Sequence, residues 1–299
     1  MKAGFVALIG RPNAGKSTLL NRFVGQKVAI VSDKPQTTRH RIIGVRTQAE
    51  GQMVFIDTPG IHKPMHVMNR RMVDTALDSL REVDLAVLTV DATLRPGAGD
   101  QFVLNVLRRS HVAAILALNK VDVINKPRLL PLIEHYAKAL DFKAILPVSA
   151  LTGENVDALE REILAALPEG EAQYPSEFLT DQTERTLASE LVREKVLAHM
   201  REELPFTTAV VIDQFEEAPA AGGLTKIFAS ILVDHESQKP IVVGKGGDMI
   251  KRIGTEARRD LEGMLGGKVY LDLHVKVRED WRDDDRLLDQ LGLRTGRGR

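Results

Sequence analysis

The chain has 299 residues, 43% of them hydrophobic, and its 41 basic residues balance 41 acidic ones. That composition excludes a disordered or fibrous protein, suffices for two globular domains with separate cores, and gives the chain as a whole no bias towards polyanions. Cysteine is absent, which excludes disulfides, thiolate metal sites and a cysteine nucleophile and points to a reducing cytoplasm.

The N-terminal MKAGFVALIG runs straight into a glycine-rich motif, leaving no room for a cleavable leader. No apolar run approaches the roughly 18 residues of a membrane span, so a soluble, cytoplasmic chain is expected. The β-rich run FVALI is followed by Gly10-Arg-Pro-Asn-Ala-Gly-Lys-Ser17 and then by TLLNRFVG, apolar at helical spacing. A glycine turn between strand and helix is the setting of a phosphate-binding loop. Gly10 and Gly15 free the backbone to aim N–H groups at a phosphate, the helix beginning near Lys16 adds its positive end, Lys16 reaches the β and γ phosphates, and Ser17 offers a hydroxyl to Mg²⁺. Asn13, Ala14 and Thr18 complete the cradle.

Up to about Leu167, apolar strands alternate with amphipathic helices: MVFID, a helix through VDTALDSL, DLAVLTVD, a helix through QFVLNVLRR, AAILALNK, a helix near LLPLIEHYAKAL, AILPVSA and a helix through VDALEREILAAL. This pattern predicts an α/β fold with a mostly parallel sheet covered on both faces. Asp57-Thr58-Pro59-Gly60 ends one strand, where a carboxylate can hold Mg²⁺ through a water and the Gly60 N–H can sense a γ-phosphate. Alone, that tetrapeptide reads equally as a turn; its position at a strand end of a phosphate-loop domain shifts the weight towards a site. Asn119-Lys120-Val121-Asp122 ends another strand, and the Asp122 carboxylate can accept two N–H donors from a guanine edge where adenine offers none at the matching positions. Ser149-Ala150-Leu151 ends the next strand and can present its backbone to the guanine oxygen.

Two prolines and five acidic residues mark PEGEAQYPSEFLTDQTER as a break, giving domains at 1–170 and 186–299 with a linker at 171–185. The first 170 residues carry 22 basic and 17 acidic side chains, whereas the remainder carries 19 and 24. In the second domain an amphipathic helix through TLASELVREKVLAHMREEL precedes two β-rich runs, TTAVVIDQF and TKIFASILVD. Asp248 to about Leu265 reads as a helix and KVYLDLHVKV as a closing strand, for an α-β-β-α-β order to which PIVVG, read as a short strand running into the glycine loop, is additional.

The GxxG loop Gly244-Lys245-Gly246-Gly247 is weak as a motif, but it opens the helix DMIKRIGTEARR. From Ser237 to Arg259 there are six basic residues and two acidic ones. A solvated helix face explains those charges equally well. As a nucleic-acid loop, Lys245 and Lys251 would meet phosphates beside the Gly244, Gly246 and Gly247 backbone, with Ile241, Val243 and Ile250 as an apolar floor for splayed bases.

GRPNAGKS, DTPG, NKVD and SAL, in that order and spacing, resemble the nucleotide-binding boxes of the translation-factor-related GTPases, and Gln36-Thr37-Thr38-Arg39-His40-Arg41 resembles the switch I of the TrmE–Era group. With the KH-like loop and the tail VKVREDWRDDDRLLDQLG the resemblance to the Era family extends over essentially the whole chain. It implies GTP or GDP with Mg²⁺ held by Ser17, Thr38 (favoured over Thr37) and Asp57, and catalytic parts for Lys16, Thr38 and Gly60. It further implies a type II KH domain on 16S ribosomal RNA near its 3′ end in 30S subunit assembly, with no DNA partner, a monomeric chain and peripheral membrane association left open. The resemblance also suggests that Asn13 holds a K⁺ ion in the place of an arginine finger, a turn beside Pro12 being the plainer role. Ile61 stands where many GTPases place a water-orienting Gln, so slow hydrolysis is expected. The alternative is an RNA-binding scaffold with a structural, non-hydrolysing nucleotide site. The basic end RTGRGR has no assigned role.

Overall fold

The computed structural model describes residues 1–61, 66–220 and 223–293; the basic end at 294–299 lies outside them. The chain forms two compact units, one from Met1–Val31 and Pro35–Asp181 with Leu293, the other from Ser32–Lys34 and Gln182–Gly292.

In the first unit the elements run β1 (Lys2–Ile9), α1 (Lys16–Val24), β2 (Ile42–Gln48), β3 (Gly51–Asp57), α2 (Val67–Ser79), β4 (Leu85–Asp91), α3 (Ala98–Ser110), β5 (Ala113–Asn119), α4 (Leu129–Ala139), β6 (Ile145–Pro147) and α5 (Val156–Ala166). The sheet order is β2-β3-β1-β4-β5-β6, parallel except for β2 against β3. Side chains alternate across a strand, so β1 feeds two apolar layers. Val6 and Leu8 pack with Leu19, Leu20 and Phe23 of α1 and with Leu159 and Ile163 of α5. Ala7 and Ile9 join Ala76 of α2, Leu104 and Leu107 of α3 and Tyr136 of α4. Because the strands are buried on both faces, their C-terminal ends, which carry the expected motifs, are held by two cores at once.

Two features depart from the sequence reading. Strand β2 has no alternating pattern to announce it, since Ile42, Ile43 and Val45 are all buried. The cover on its outer edge comes from residues expected to form the linker. Val45 N–H donates to Leu179 O (2.8 Å), Thr180 Oγ1 to Ile43 O (2.7 Å) and Ile43 N–H to Asp181 Oδ1 (3.0 Å). Gln52, fully buried on β3, accepts from the Gln173 and Tyr174 N–H groups and donates to Tyr174 O, and the stacked rings of Tyr174 and Phe178 pack against Ile43, Val45 and Val54. Residues up to Asp181 therefore belong to the first unit, where they close a sheet edge that would otherwise offer free backbone groups. Of the stretch expected as a linker at 171–185, the residues up to Asp181 thus group with the first unit and those from Gln182 with the second.

The second unit runs α6 (Glu184–His199), α7 (Leu204–Thr207), β7 (Ala209–Glu216), β8 (Leu224–Val233), α8 (Lys239–Val243), α9 (Asp248–Leu265), β9 (Lys268–Val277) and α10 (Asp285–Gln290). Thr183 caps α6 by accepting from Thr186 N–H at 3.2 Å. In the sheet β7-β8-β9, β7 and β8 are antiparallel and β8 and β9 parallel. The run expected as the strand PIVVG is the helix α8, so the order is α-α-β-β-α-α-β-α. Pro240 presets the helical dihedral in the first turn, and Gln238 Oε1 accepts from the Asp234 and His235 N–H groups just before it. These local signals outweigh the β-preference of Ile241, Val242 and Val243.

Ile253, Ala257 and Leu261 of α9 face the sheet and are fully buried. The sole tryptophan, Trp281, is also buried and donates its Nε1–H to Thr207 O at 2.9 Å, so its fluorescence reports the unfolding of this unit. Among the described residues no helix is long and apolar enough to cross a membrane. Leu261→Ala should lower the stability of the second unit by about 2–5 kcal/mol, the cost of an uncollapsed core cavity, read as a lower urea midpoint of Trp281 emission. A change below about 1 kcal/mol would mean that α9 is not seated as described.

Candidate functional site

The loop between β1 and α1 needs backbone that most residues resist. Gly15 has φ 97°, and a Cβ there would lie 2.1 Å from Asn119 Nδ2, so both conformation and space demand glycine. Asn13 takes the left-handed region with φ 63°, which asparagine tolerates better than most residues. Ala14 is buried, and Thr18 lies in the first turn of α1. Lys16 is buried, its ammonium within reach of Gly10 O (3.4 Å) and Arg11 O (3.2 Å). Burial lowers its pKa, with the nearby Asp57 charge pulling the other way.

Three oxygen-bearing side chains converge next to it. Ser17 Oγ lies 2.7 Å from Thr38 Oγ1 and 2.7 Å from Asp57 Oδ2, and Thr38 Oγ1 lies 3.2 Å from the same Asp57 oxygen. It is Thr38 that meets Ser17 and Asp57. The remaining carboxylate oxygen, Asp57 Oδ1, is buried with no hydrogen-bond partner among the described residues. Two hydroxyls around a buried carboxylate with an orphaned oxygen suit a hard cation that takes oxygen ligands. Burial pushes the Asp57 pKa up, opposed by the Lys16 charge and the Ser17 and Thr38 hydroxyls.

Gly60 backs onto the phosphate loop: a Cβ would come within 2.6 Å of Pro12 N, and Ile61 N–H donates to Gly10 O at 3.1 Å. Ile61 itself is 1% exposed and packs in the apolar layer with Ile9 and Ala76.

The base side is assembled from β5 and the loop after β6. Asn119 is nearly buried and donates Nδ2–H to Ala14 O (2.8 Å) while accepting from Ala150 N–H (2.9 Å). Its one amide thereby links the phosphate loop to the Ser149–Leu151 loop. Lys120 has φ 69°, and its ammonium pairs with Asp91 Oδ2 at 2.6 Å. Burial alone would raise the Asp91 pKa, but the Lys120 ammonium and the Thr93 hydroxyl and N–H outweigh it and hold it below the usual value. Asp122 is exposed in the short turn that follows. Ser149 and Ala150 are buried, whereas Leu151 is 72% exposed. Sequence reasoning missed Asp91, whose signal is a carboxylate at the end of β4 in register with Asn119.

In the second unit, Gly244, Gly246 and Gly247 all have positive φ, at 77°, 62° and 86°. They make the bend between α8 and α9 that a bulkier backbone would resist, with Lys245 inside it. Ile241 is 55% exposed, while Val243 and Ile250 are partly buried against the core. Lys251 is exposed one turn into α9.

A family model described as "50S ribosome-binding GTPase" matches residues 5–120, and one described as "KH domain" matches residues 203–282. GTPase Era of Geobacter metallireducens is 47% identical over 291 residues, 97% of each chain, and that of Heliobacterium modesticaldum 45% identical over 98% of this chain and 97% of its own. A variant of Aquifex aeolicus Era bound to GDP and tetrafluoroaluminate superposes with a TM-score of 0.92 at 42% identity, covering 98% of this chain and 100% of the other. Era in complex with MgGDPNP and nucleotides 1506–1542 of 16S ribosomal RNA gives 0.94 at 41% identity, covering 98% and 99%. On sequence and structure alike, the chain belongs to the GTPase Era family.

Proposed function

We propose that this chain is a GTP-hydrolysing molecular switch of the cytoplasm that binds small-subunit ribosomal RNA through its KH unit and acts, as a monomer, in assembly of the 30S subunit. The observation that carries the nucleotide half is the meeting of Ser17, Thr38 and Asp57 beside the buried Lys16. The RNA half is supported by the α8-GKGG-α9 arrangement and by the relative solved with 16S ribosomal RNA. That RNA decides for the small subunit over the large one named in the family-model description.

Backbone N–H groups of the Asn13–Lys16 loop receive the phosphates at the positive end of α1. Lys16 exchanges the carbonyls of Gly10 and Arg11 for phosphate oxygens, and burial strengthens that attraction because little water screens it. Ser17, Thr38 and Asp57 would hold Mg²⁺, which when bound neutralises charge developing on the phosphate oxygens. Because Thr38 comes from the segment before β2, its place beside Ser17 makes that segment sensitive to the γ-phosphate, as does the Gly60 backbone for the segment after β3. Asp122 accepts from the guanine edge and the Ser149–Leu151 backbone faces its oxygen. With Ile61 turned into the core, no side chain at that position orients the attacking water, so the chain's own hydrolysis is slow. Asn13 would help to hold K⁺, which when bound would supply positive charge to the phosphates in the place of an arginine side chain. In the second unit, Lys245 and Lys251 meet phosphates along the GKGG backbone, and Ile241, Val243 and Ile250 carry the bases.

Asp122→Asn should weaken GDP binding about 10- to 100-fold, the worth of hydrogen bonds to a charged acceptor, and shift preference towards xanthosine nucleotides; unchanged GDP affinity in a titration would remove Asp122 from the site. GTP turnover should be faster in K⁺ than in Na⁺ buffer, and equal rates would free Asn13 of its ion-binding part. Lys16→Ala should leave folding intact by circular dichroism but make release of a 16S 3′-end RNA independent of added nucleotide. RNA release that still responds to GTP as in the unaltered protein would favour a scaffold over a switch.

A further inference from the structure

Arg22 sits in the last turn of α1, the helix whose first turn carries Lys16 and Ser17. Its side chain crosses to the base-side loop: Nε–H donates to Ala150 O at 3.2 Å, and Nη2–H donates to Leu151 O. Gly153 lies beside the guanidinium, where an added Cβ would stand 3.5 Å from Cζ. Ala150 is therefore held through both of its flanking peptides, its N–H by Asn119 and its carbonyl by Arg22. The same loop is otherwise closed mainly on itself, through Ser149 N–H to Glu154 O, Gly153 N–H to Ser149 O and Thr152 N–H to Ser149 Oγ. Among the described residues the Leu151 N–H has no acceptor, which leaves it as a donor for a ligand oxygen.

A positive side chain near a helix C-terminus is favourable whatever it touches. Here the planar fork does more, because it joins two successive carbonyls of one loop, a task for which arginine's fixed donor geometry suits it better than lysine's point charge. We propose that Arg22 is a positioning residue for guanine recognition, fixing the Ala150–Leu151 peptide so that the Leu151 N–H meets the purine oxygen, and rigidly coupling that donor to the phosphate-binding helix. This inference rests on the guanine reading given above.

The effect should fall on the purine oxygen and spare the phosphates. Release of fluorescently labelled GDP should quicken about tenfold in Arg22→Ala. Release of the corresponding 6-thioguanosine diphosphate, which keeps the N1–H and the 2-amine for Asp122 but carries a weakly accepting sulfur in place of the oxygen, should change much less. Arg22→Lys, which retains the charge at the helix end, should fall between. Equal acceleration for both nucleotides, no acceleration for either, or an Arg22→Lys variant indistinguishable from the unaltered protein would each overturn the proposal. Absence of GDP preference in the unaltered protein would count against the guanine reading itself, whereas a variant that matches a GDP-preferring parent counts against Arg22 alone.

Discussion

A nucleotide is rigid at its base and highly charged at its phosphates, so a site that reads both must hold two loops at a fixed separation. In this chain the Asn119 amide sets that separation, with Ala14 O at one end and Ala150 N–H at the other. The bond pair is buried, where a lost partner costs more than the net worth of either bond. Gly15 is tied to the same contact, since any side chain there would collide with the Asn119 amide. The phosphate loop, the NKVD strand end and the SAL loop thus have a geometry that none of the three could keep alone.

The second constraint is charge. Lys16 and Asp57 lie within the apolar framework made by β1, β3 and α1, and burial disfavours the charged form of each. They offset one another in part, and the Ser17 and Thr38 hydroxyls supply dipoles to the carboxylate. Such an arrangement is costly for an empty site and well prepared for one that receives phosphate and a cation. Thr38 arrives on a segment without regular structure, so in the proposed function the same atoms serve both binding and switching.

The parts legible in the sequence were those in which local chemistry and tertiary role coincide. Strands β1, β3, β4 and β5 read as apolar runs because both faces are buried, and the glycine loop declares itself because its spacing is dictated by a phosphate. Strand β2 was not legible, since its burial depends on Tyr174 and Phe178, residues far along the chain with acidic neighbours that look like a linker. Helix α8 was misread because Ile241, Val242 and Val243 favour strands, while Pro240 and the preceding Gln238 cap act through positions a hydrophobic pattern does not weigh. The resemblance favours Thr38 over Thr37, and the contacts of Thr38 with Ser17 and Asp57 support that preference through an arrangement no local pattern encodes. Asp91 and Arg22 carried no motif at all; each acts by holding a motif residue in place, and that role is written in the fold.

Ile61 connects the hydrolytic site to the core in a way that a polar residue could not. Its side chain fills the layer between β1 and α2 while its N–H is fixed to Gly10 O, so the backbone following Gly60 is anchored to the phosphate loop by packing as well as by hydrogen bonding. A glutamine at this position would have to leave that layer to orient a water, giving up apolar burial worth about 1.5–3 kcal/mol for a side chain of this size. On the proposed reading, the chain gives up an autonomous catalytic group in exchange for a fixed backbone after Gly60, the part assigned there to sensing the γ-phosphate.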